Sequence, residues 1–290
     1  MNFELASRLT SSLNTDFQAF LPELVLCVSI VLMLLLRLIP RFDKLHMGWV
    51  ALTFSIGICV LSCMQWKVNV FPDGPPMNNP SQTVTTFGGM LVFDNFTIFI
   101  KIFLYAFLTL VIVLTLMTGI PDKEDSADFY CLLFGSTLGM VIMASSNHLL
   151  MVFIGIEMAS LPSYALAGFL KGRRQSSEAA LKYVVYGGGA SGVMLYGISF
   201  IAGHKDIGTG LLPEVVNQVG HHLGDPLILM GLLFILVGIG FKLATVPFHF
   251  WCPDVFEGAS AEVGAFLSVA SKGAALALLT RIIMGLGGLS

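Results

Sequence analysis

The chain has 290 residues, 56% of them hydrophobic and only 11% charged, where an ordinary soluble domain carries roughly 25% charged residues. Apolar runs of about 20 residues recur along the whole length, each long enough to cross a ~30 Å hydrocarbon layer, so a soluble enzyme is excluded. The net charge of −3, from 15 basic and 18 acidic residues without a basic block, excludes an electrostatic nucleic-acid surface as well.

Apolar runs and their breakers predict an all-α, polytopic integral membrane bundle of about eight transmembrane helices, at 20–38, 47–66, 96–118, 128–146, 148–170, 179–202, 226–251 and 260–284. The first run is read as retained rather than cleaved. It is too long for the apolar region of a secretory signal, and Arg37, Pro40, Arg41 and Lys44 follow it without a small-residue cleavage site. Basic residues set the orientation: Arg37, Arg41, Lys44, Lys123, Lys171, Arg173 and Arg174 fall on one side and only Arg8, Lys67 and Lys205 on the other. The richer side is expected to face the cytoplasm, which places the N-terminus outside. The long outer loop, 67–95, opens on the turn-rich Phe71-Pro72-Asp73-Gly74-Pro75-Pro76. Its Thr83-Val84-Thr85-Thr86, before Gly88-Gly89, is expected to form a short hairpin. Cys27, Cys59, Cys63, Cys131 and Cys252 show neither a C-x-x-C nor a Cys/His spacing that would suit a metal or a disulfide framework. No G-x-G-x-x-G, P-loop or C-x-x-C-H is present, so any electrons that the protein serves travel elsewhere.

Four charged residues fall inside apolar runs: Glu157, Lys182, Lys242 and Lys272. Each costs about 2.5–3.5 kcal/mol on insertion scales, and four facing lipid would cost roughly 10 kcal/mol, comparable with the stability of a domain. They are therefore expected to face one another or water. Ser160 and Tyr164 follow Glu157 at i+3 and i+7 and extend a polar stripe along one helical face, while Pro162 adds a local break. Lys242 precedes Pro247, which breaks the seventh helix at membrane depth, a feature tolerated where it lines protein or a water-filled cavity. The alternative for Lys242 is a kinked helix with a lysine snorkelling to the interface. His249, just past the proline, has the chemistry of a proton relay, and equally that of a packed ring among Phe248, Phe250 and Trp251. Lys272 lies midway along a helix of small residues, Gly264, Ala265, Gly273, Ala274 and Ala275, which suits an interior address. Lys182 has Glu178 at i−4, so a local surface pair explains it as well as a buried role does. Gly187-Gly188-Gly189 and Gly192 read as a close-packing seam. Asp94 and Lys101, flanking the outer end of the third helix, and Arg281, near the outer end of the eighth, are given no role. Desolvation disfavours the charged form of Lys or Glu and a nearby opposite charge restores it, so a line of such groups passes protons through intervening waters.

At these residues the chain resembles the antiporter-like membrane subunits of respiratory NADH:quinone oxidoreductase, the subunit N family above all. The resemblance rests on Leu21-Pro22-Glu23, Ser145-Ser146-Asn147-His148-Leu149-Leu150, the stretch from Gly155 through Glu157 to Tyr164, the stretch from Ser176 through Lys182 to Tyr183, and the stretch from Phe241 through Lys242 to Trp251. It implies a proton-translocating subunit whose path uses Glu157, Lys182, Lys242 and Lys272, with His249 beside it. It further implies a single membrane domain over 1–290, with three N-terminal helices in 1–126 and the first five-helix antiporter-like repeat in 127–290. The second inverted repeat of the family has no counterpart before Gly287-Gly288-Leu289-Ser290. The expectation is either a fragment or truncated product, or a further chain that supplies the rest.

By this resemblance the chain holds no cofactor itself. NADH, FMN, Fe–S clusters and quinone belong to the implied complex, whose other membrane subunits and peripheral redox arm are the expected partners in a bacterial inner (plasma) membrane. Two other readings stand beside it. One is a subunit of a multisubunit cation/proton antiporter, and the other is a non-conducting scaffold whose buried charges only pair helices.

Overall fold

The computed structural model describes residues 13, 15–38, 46–67, 83–119, 125–170 and 172–287. Arg8, Arg41, Lys44, Phe71 to Pro76, Lys123, Lys171 and the end from Gly288 to Ser290 lie outside the described residues. The helices are α1 Leu21–Leu38, α2 Met47–Lys67, α3 Asn95–Thr118, α4 Ser126–Ser145, α5 Leu149–Ala167, α6 Arg174–Ala202, α7 Leu212–His221, α8 Pro226–Leu243 and α9 Trp251–Gly258. The last span runs through α10 Ala261–Phe266, a π-helical turn Leu267–Ser271 and α11 Lys272–Gly287. With that last span taken as one, eight helices among the described residues are long and apolar enough to cross a membrane. The protein is an all-α membrane bundle.

Local chemistry fixes most boundaries. Asp94 caps α3 by accepting from the Thr97 N–H at 2.7 Å, and the helix stops at Gly119, whose φ of 73° suits a residue without Cβ. Asp225 caps α8 ahead of Pro226 in the same way. The expected hairpin is present: β1 Val84–Thr86 pairs antiparallel with β2 Leu91–Phe93, Thr86 opposite Leu91. Its turn needs positive φ at Phe87, Gly88 and Gly89. The Asn147 N–H donates to the Met90 carbonyl at 2.9 Å and its side-chain amide to the Gly89 carbonyl at 2.9 Å. The Asn147 carbonyl in turn accepts from the Leu212 N–H at 2.8 Å. One residue of the α4–α5 corner thereby ties the hairpin to α7, and this "hairpin end" of the bundle is closed by backbone bonds.

Several expectations change. α6 begins at Arg174, five residues before the predicted start, because its polar first turns lack the apolar period that marked the rest. α7 was not foreseen; its apolar face of Leu212, Val215, Val216 and Val219 is buried, yet ten residues are too short to register as a span. Pro162 does not break α5, which is continuous. The strain is absorbed locally: the Ser136 and Ser163 hydroxyls both donate to the Ala159 carbonyl, at 2.9 and 2.6 Å, beside the carbonyl that the proline leaves without its N–H. The proposed glycine seam is also redistributed. Gly187 packs under the Tyr164 ring, whereas Gly188, Gly189 and Gly192 face open space.

α4 and α5 meet backbone to backbone. A Cβ on Gly139 would overlap Ala159 and Met158 main-chain atoms, and one on Gly155 would press on the Met143 backbone. Gly139→Leu is therefore expected to destabilise the purified protein by about 1–3 kcal/mol or to block folding, read as a lower unfolding midpoint in detergent, while the same change at open Gly189 leaves the midpoint in place.

Candidate functional site

Lys242 is the penultimate residue of α8, and its side chain is only 1% exposed. The helix ends there because Ala244 adopts φ 55°, and the Thr245 and Ala244 N–H groups turn back to the Gly240 carbonyl at 2.9 Å and the Phe241 carbonyl at 3.1 Å. The Trp251 indole donates to the Phe241 carbonyl at 3.1 Å, so the broken backbone is satisfied inside protein. The seventh span thus breaks as expected, but at Leu243 rather than at Pro247, with turns at Ala244 and from Val246 to Phe250 and then α9. A column of rings supports the break: Tyr164 is edge-on to Tyr183 at 4.6 Å, and Tyr183 stacks on Trp251 at 4.5 Å.

The Lys242 ammonium donates to the Ser160 hydroxyl at 3.0 Å, and that hydroxyl donates to the Ile156 carbonyl at 2.6 Å. Ser160 lies on the Glu157 face of α5, so the polar stripe does meet the broken-helix lysine. Half-buried Glu157 acts on Lys242 electrostatically without a direct ion pair among the described residues. Snorkelling of Lys242 to an interface is ruled out by its burial.

The other candidates are placed differently. Lys272 immediately follows the π-helical turn, a distortion that recurs at functional sites. It is half-buried, its ammonium 3.9 Å from the Cys252 sulfur and 5.5 Å from the Phe256 ring centre. It therefore addresses α9, the helix that follows the break. Lys182 bonds Glu178 at 2.9 Å and also Asp254 of α9 at 3.1 Å, and its side chain is 37% exposed. The local pair is real, and it is extended into a clamp between α6 and α9. His249 stacks on Phe250 at 4.8 Å, and its Nδ1 is buried without a hydrogen-bond partner. Lys242, Lys272 and Lys182 thus surround one short segment, 244–258, rather than touching each other.

A family model described as "NADH:quinone oxidoreductase/Mrp antiporter, TM" matches residues 146–287, which hold all five candidates. NADH-quinone oxidoreductase subunit N 2 of Symbiobacterium thermophilum is 36% identical over 282 residues, 94% of this chain and 54% of the relative. Subunit N of an Anaeromyxobacter species is 38% identical over 273 residues, 91% of this chain and 50% of the relative. The chain matches the NADH-quinone oxidoreductase subunit N family. It spans about half the length of these relatives. A chain of respiratory complex I from Thermus thermophilus superposes with a TM-score of 0.69 at 28% identity, covering 90% of this chain and 52% of that one. A chain of an archaeal membrane-bound sulfane sulfur reductase shares the fold, with a TM-score of 0.76 at 18% identity over 93% of this chain and 55% of that one.

Within this subunit N-like fold, the residues given no role by sequence reasoning are paired, Asp94 and Lys101 buried and Arg281 largely so. Arg281 forms a two-pronged pair with Asp94, at 3.0 and 3.2 Å, and also donates to the Thr97 hydroxyl at 2.6 Å and the Ala144 carbonyl at 3.2 Å. Lys101 meets Glu23 at 2.6 Å, with both side chains under 5% exposed. Position near a helix end suggested solvent; the available signal was that Asp94, Thr97 and Lys101 follow at i, i+3 and i+7 on one face of α3.

Ser160→Ala removes the Lys242 hydrogen-bond partner and is expected to cost about 1.5–3 kcal/mol, measured by thermal unfolding in detergent. Arg281→Ala leaves Asp94 buried and unpaired and is expected to cost about 3–5 kcal/mol by the same measurement. Burial alone would raise the Asp94 pKa, but the Arg281 guanidinium and the Thr97 contacts outweigh it and hold it below the usual carboxylate range. That stabilisation is present above the ordinary Asp value of about 3.9 and is lost as pH falls through the depressed value. Asp94→Asn should therefore remove part of the acid-induced loss of stability in that window.

Proposed function

We propose that the chain is a proton-translocating membrane subunit of an NADH:quinone oxidoreductase, lying in a bacterial inner membrane with its N-terminus outside. The observation that carries this reading is the fully buried Lys242 ammonium at a helix break, bonded through Ser160 to the face that bears Glu157. A charge held there has no packing advantage over a hydrophobic side chain, and intramembrane ionisable groups of this kind mark ion pathways. The negative end of α8 favours the ammonium, and the Glu157 carboxylate adds to it; when that carboxylate is neutralised or screened, the ammonium gives up its proton more readily. Lys272, beside Cys252 on the far side of the same break, is positioned to receive the next proton, and Lys182 with Glu178 and Asp254 stands at the exposed end as an entry group. His249 serves as a side relay. The domain reading goes with this function: three N-terminal helices over 1–126 and a five-helix transport unit over 127–290. NADH, FMN, Fe–S clusters and the quinone site belong to partner subunits, and the redox reaction is theirs.

The family description also covers Mrp antiporters, which favours a second reading, a subunit of a multisubunit cation/proton antiporter. In the assembled complex in sealed vesicles, Lys242→Met and Lys272→Met are each expected to abolish NADH-driven proton uptake while NADH oxidation by an artificial acceptor persists. Undiminished pumping in both variants sinks the proposal. Na⁺-dependent proton exchange without NADH oxidation selects the antiporter.

A further inference from the structure

The three N-terminal helices carry a polar cluster that the path above does not use. Glu23 is 0% exposed on α1, Tyr105 is 0% exposed on α3, and Lys101, one turn before Tyr105, contacts Glu23 Oε1 at 2.6 Å. On α2, Ser62, 0% exposed, and Gln65 lie three residues apart on one helical face, and the Gln65 amide holds the Gln18 and Ala19 carbonyls just ahead of α1 at 3.0 and 3.3 Å. Among the described residues eight buried side-chain polar atoms lack a directed hydrogen bond, and five of them are here: both Glu23 oxygens, Ser62 Oγ, Gln65 Oε1 and the Tyr105 hydroxyl. A dry ion pair that merely welded α1 to α3 would have its lone pairs satisfied, because unsatisfied ones are costly in low dielectric. The Lys101 ammonium answers Glu23 Oε1 and the Tyr105 hydroxyl interacts with the same carboxylate; the polar capacity left at Glu23 Oε2, Ser62 Oγ and Gln65 Oε1 describes a pocket that takes water, since buried water typically answers such groups.

One helical face leads from this cluster towards the hairpin end. Asp94, Thr97, Lys101 and Tyr105 form one polar face of α3, and Arg281 bridges Asp94 and Thr97 at its outer end. Asp94 and Arg281 line a cavity of about 400 Å³ at the hairpin end, together with Thr83, Thr85 and Asn147. Among the described residues the ionisable groups that interact with Glu23 are Lys101 and Tyr105 on α3 and Cys27 one turn along α1.

We infer that the Glu23–Lys101 pair is a second proton-exchange site, separate from the Lys242 path and open to the hairpin-end cavity along the α3 face. A proton from cavity water forms an O–H bond at Glu23 Oε2, the oxygen that Lys101 does not engage, and takes the pair from neutral to a single positive charge. Release breaks that O–H bond, returns the proton to water along the same face, and restores the ammonium–carboxylate pair. Water along the α3 face between the Arg281 clamp and Lys101 carries it, because the Thr97 hydroxyl there is already committed to Arg281 and to the Val92 carbonyl. This inference rests on the chain being a proton-translocating subunit, and the experiment separates the two.

In the assembled complex in sealed vesicles, the double variant Glu23→Gln/Lys101→Gln, which leaves no buried charge unpaired, is compared with Lys272→Met. The expected result is NADH oxidation by an artificial acceptor at the unaltered rate with a loss of proton output in both. Full pumping in the double variant, with pumping lost in Lys272→Met, overturns this inference alone; full pumping in both overturns proton translocation itself. Should the double variant fail to assemble, Ag⁺ is added from the hairpin side to a Ser62→Cys chain whose five native cysteines are serine. Modification of Cys at position 62 supports a hydrated pocket open to that side, and protection overturns it.

Discussion

A lysine ammonium enclosed at membrane depth imposes conditions on everything around it. Lys242 is buried, so its ammonium needs acceptors inside the protein; the Ser160 hydroxyl is one, and the α8 C-terminus adds partial negative charge beside it. That terminus exists only because the backbone leaves the helix at Ala244, and a backbone that leaves a helix inside a bilayer must satisfy its own carbonyls. The Ala244 and Thr245 N–H groups and the Trp251 indole do so. The break and the lysine are therefore mutually dependent, and the aromatic column of Tyr164, Tyr183 and Trp251 holds both in place.

From that constraint the arrangement of the other charges follows. The broken span, α8 through α9, meets α5, α6 and the last span through one polar contact each: Ser160 to Lys242, Lys182 to Asp254, and Lys272 to Cys252. The π-helical turn interrupts the α-helical bonding of the last span just ahead of the lysine that addresses α9. At the hairpin end the chemistry is of a different kind. Arg281, Asp94 and Thr97 are tightly bonded, and the Asn147 corner locks the hairpin to α7, so this end is braced.

Reading the sequence and reading the structure give different portions of the site. Glu157, Lys242 and Lys272 stand out because a charge in a long apolar run is improbable without a partner, and Ser160 follows from the helical period. The buried pairs Glu23–Lys101 and Arg281–Asp94 escaped, since each member lies within two turns of a helix end, where sequence alone cannot separate a solvated charge from one roofed by a hairpin. The Lys182–Asp254 contact escaped because its partners are 72 residues apart and the α9 helix that brings them together is short.

The sequence by itself determined the solvent of this protein, the number of its spans and the identity of the intramembrane charges, because transfer of an apolar run or a lone charge between water and hydrocarbon is a local property of the chain. Only the tertiary structure decided which charges meet, where the seventh span stops, and which helix-end residues are buried. Those outcomes depend on contacts between segments far apart in sequence, on close approach at Gly139 and Gly155, and on backbone groups whose partners come from other helices.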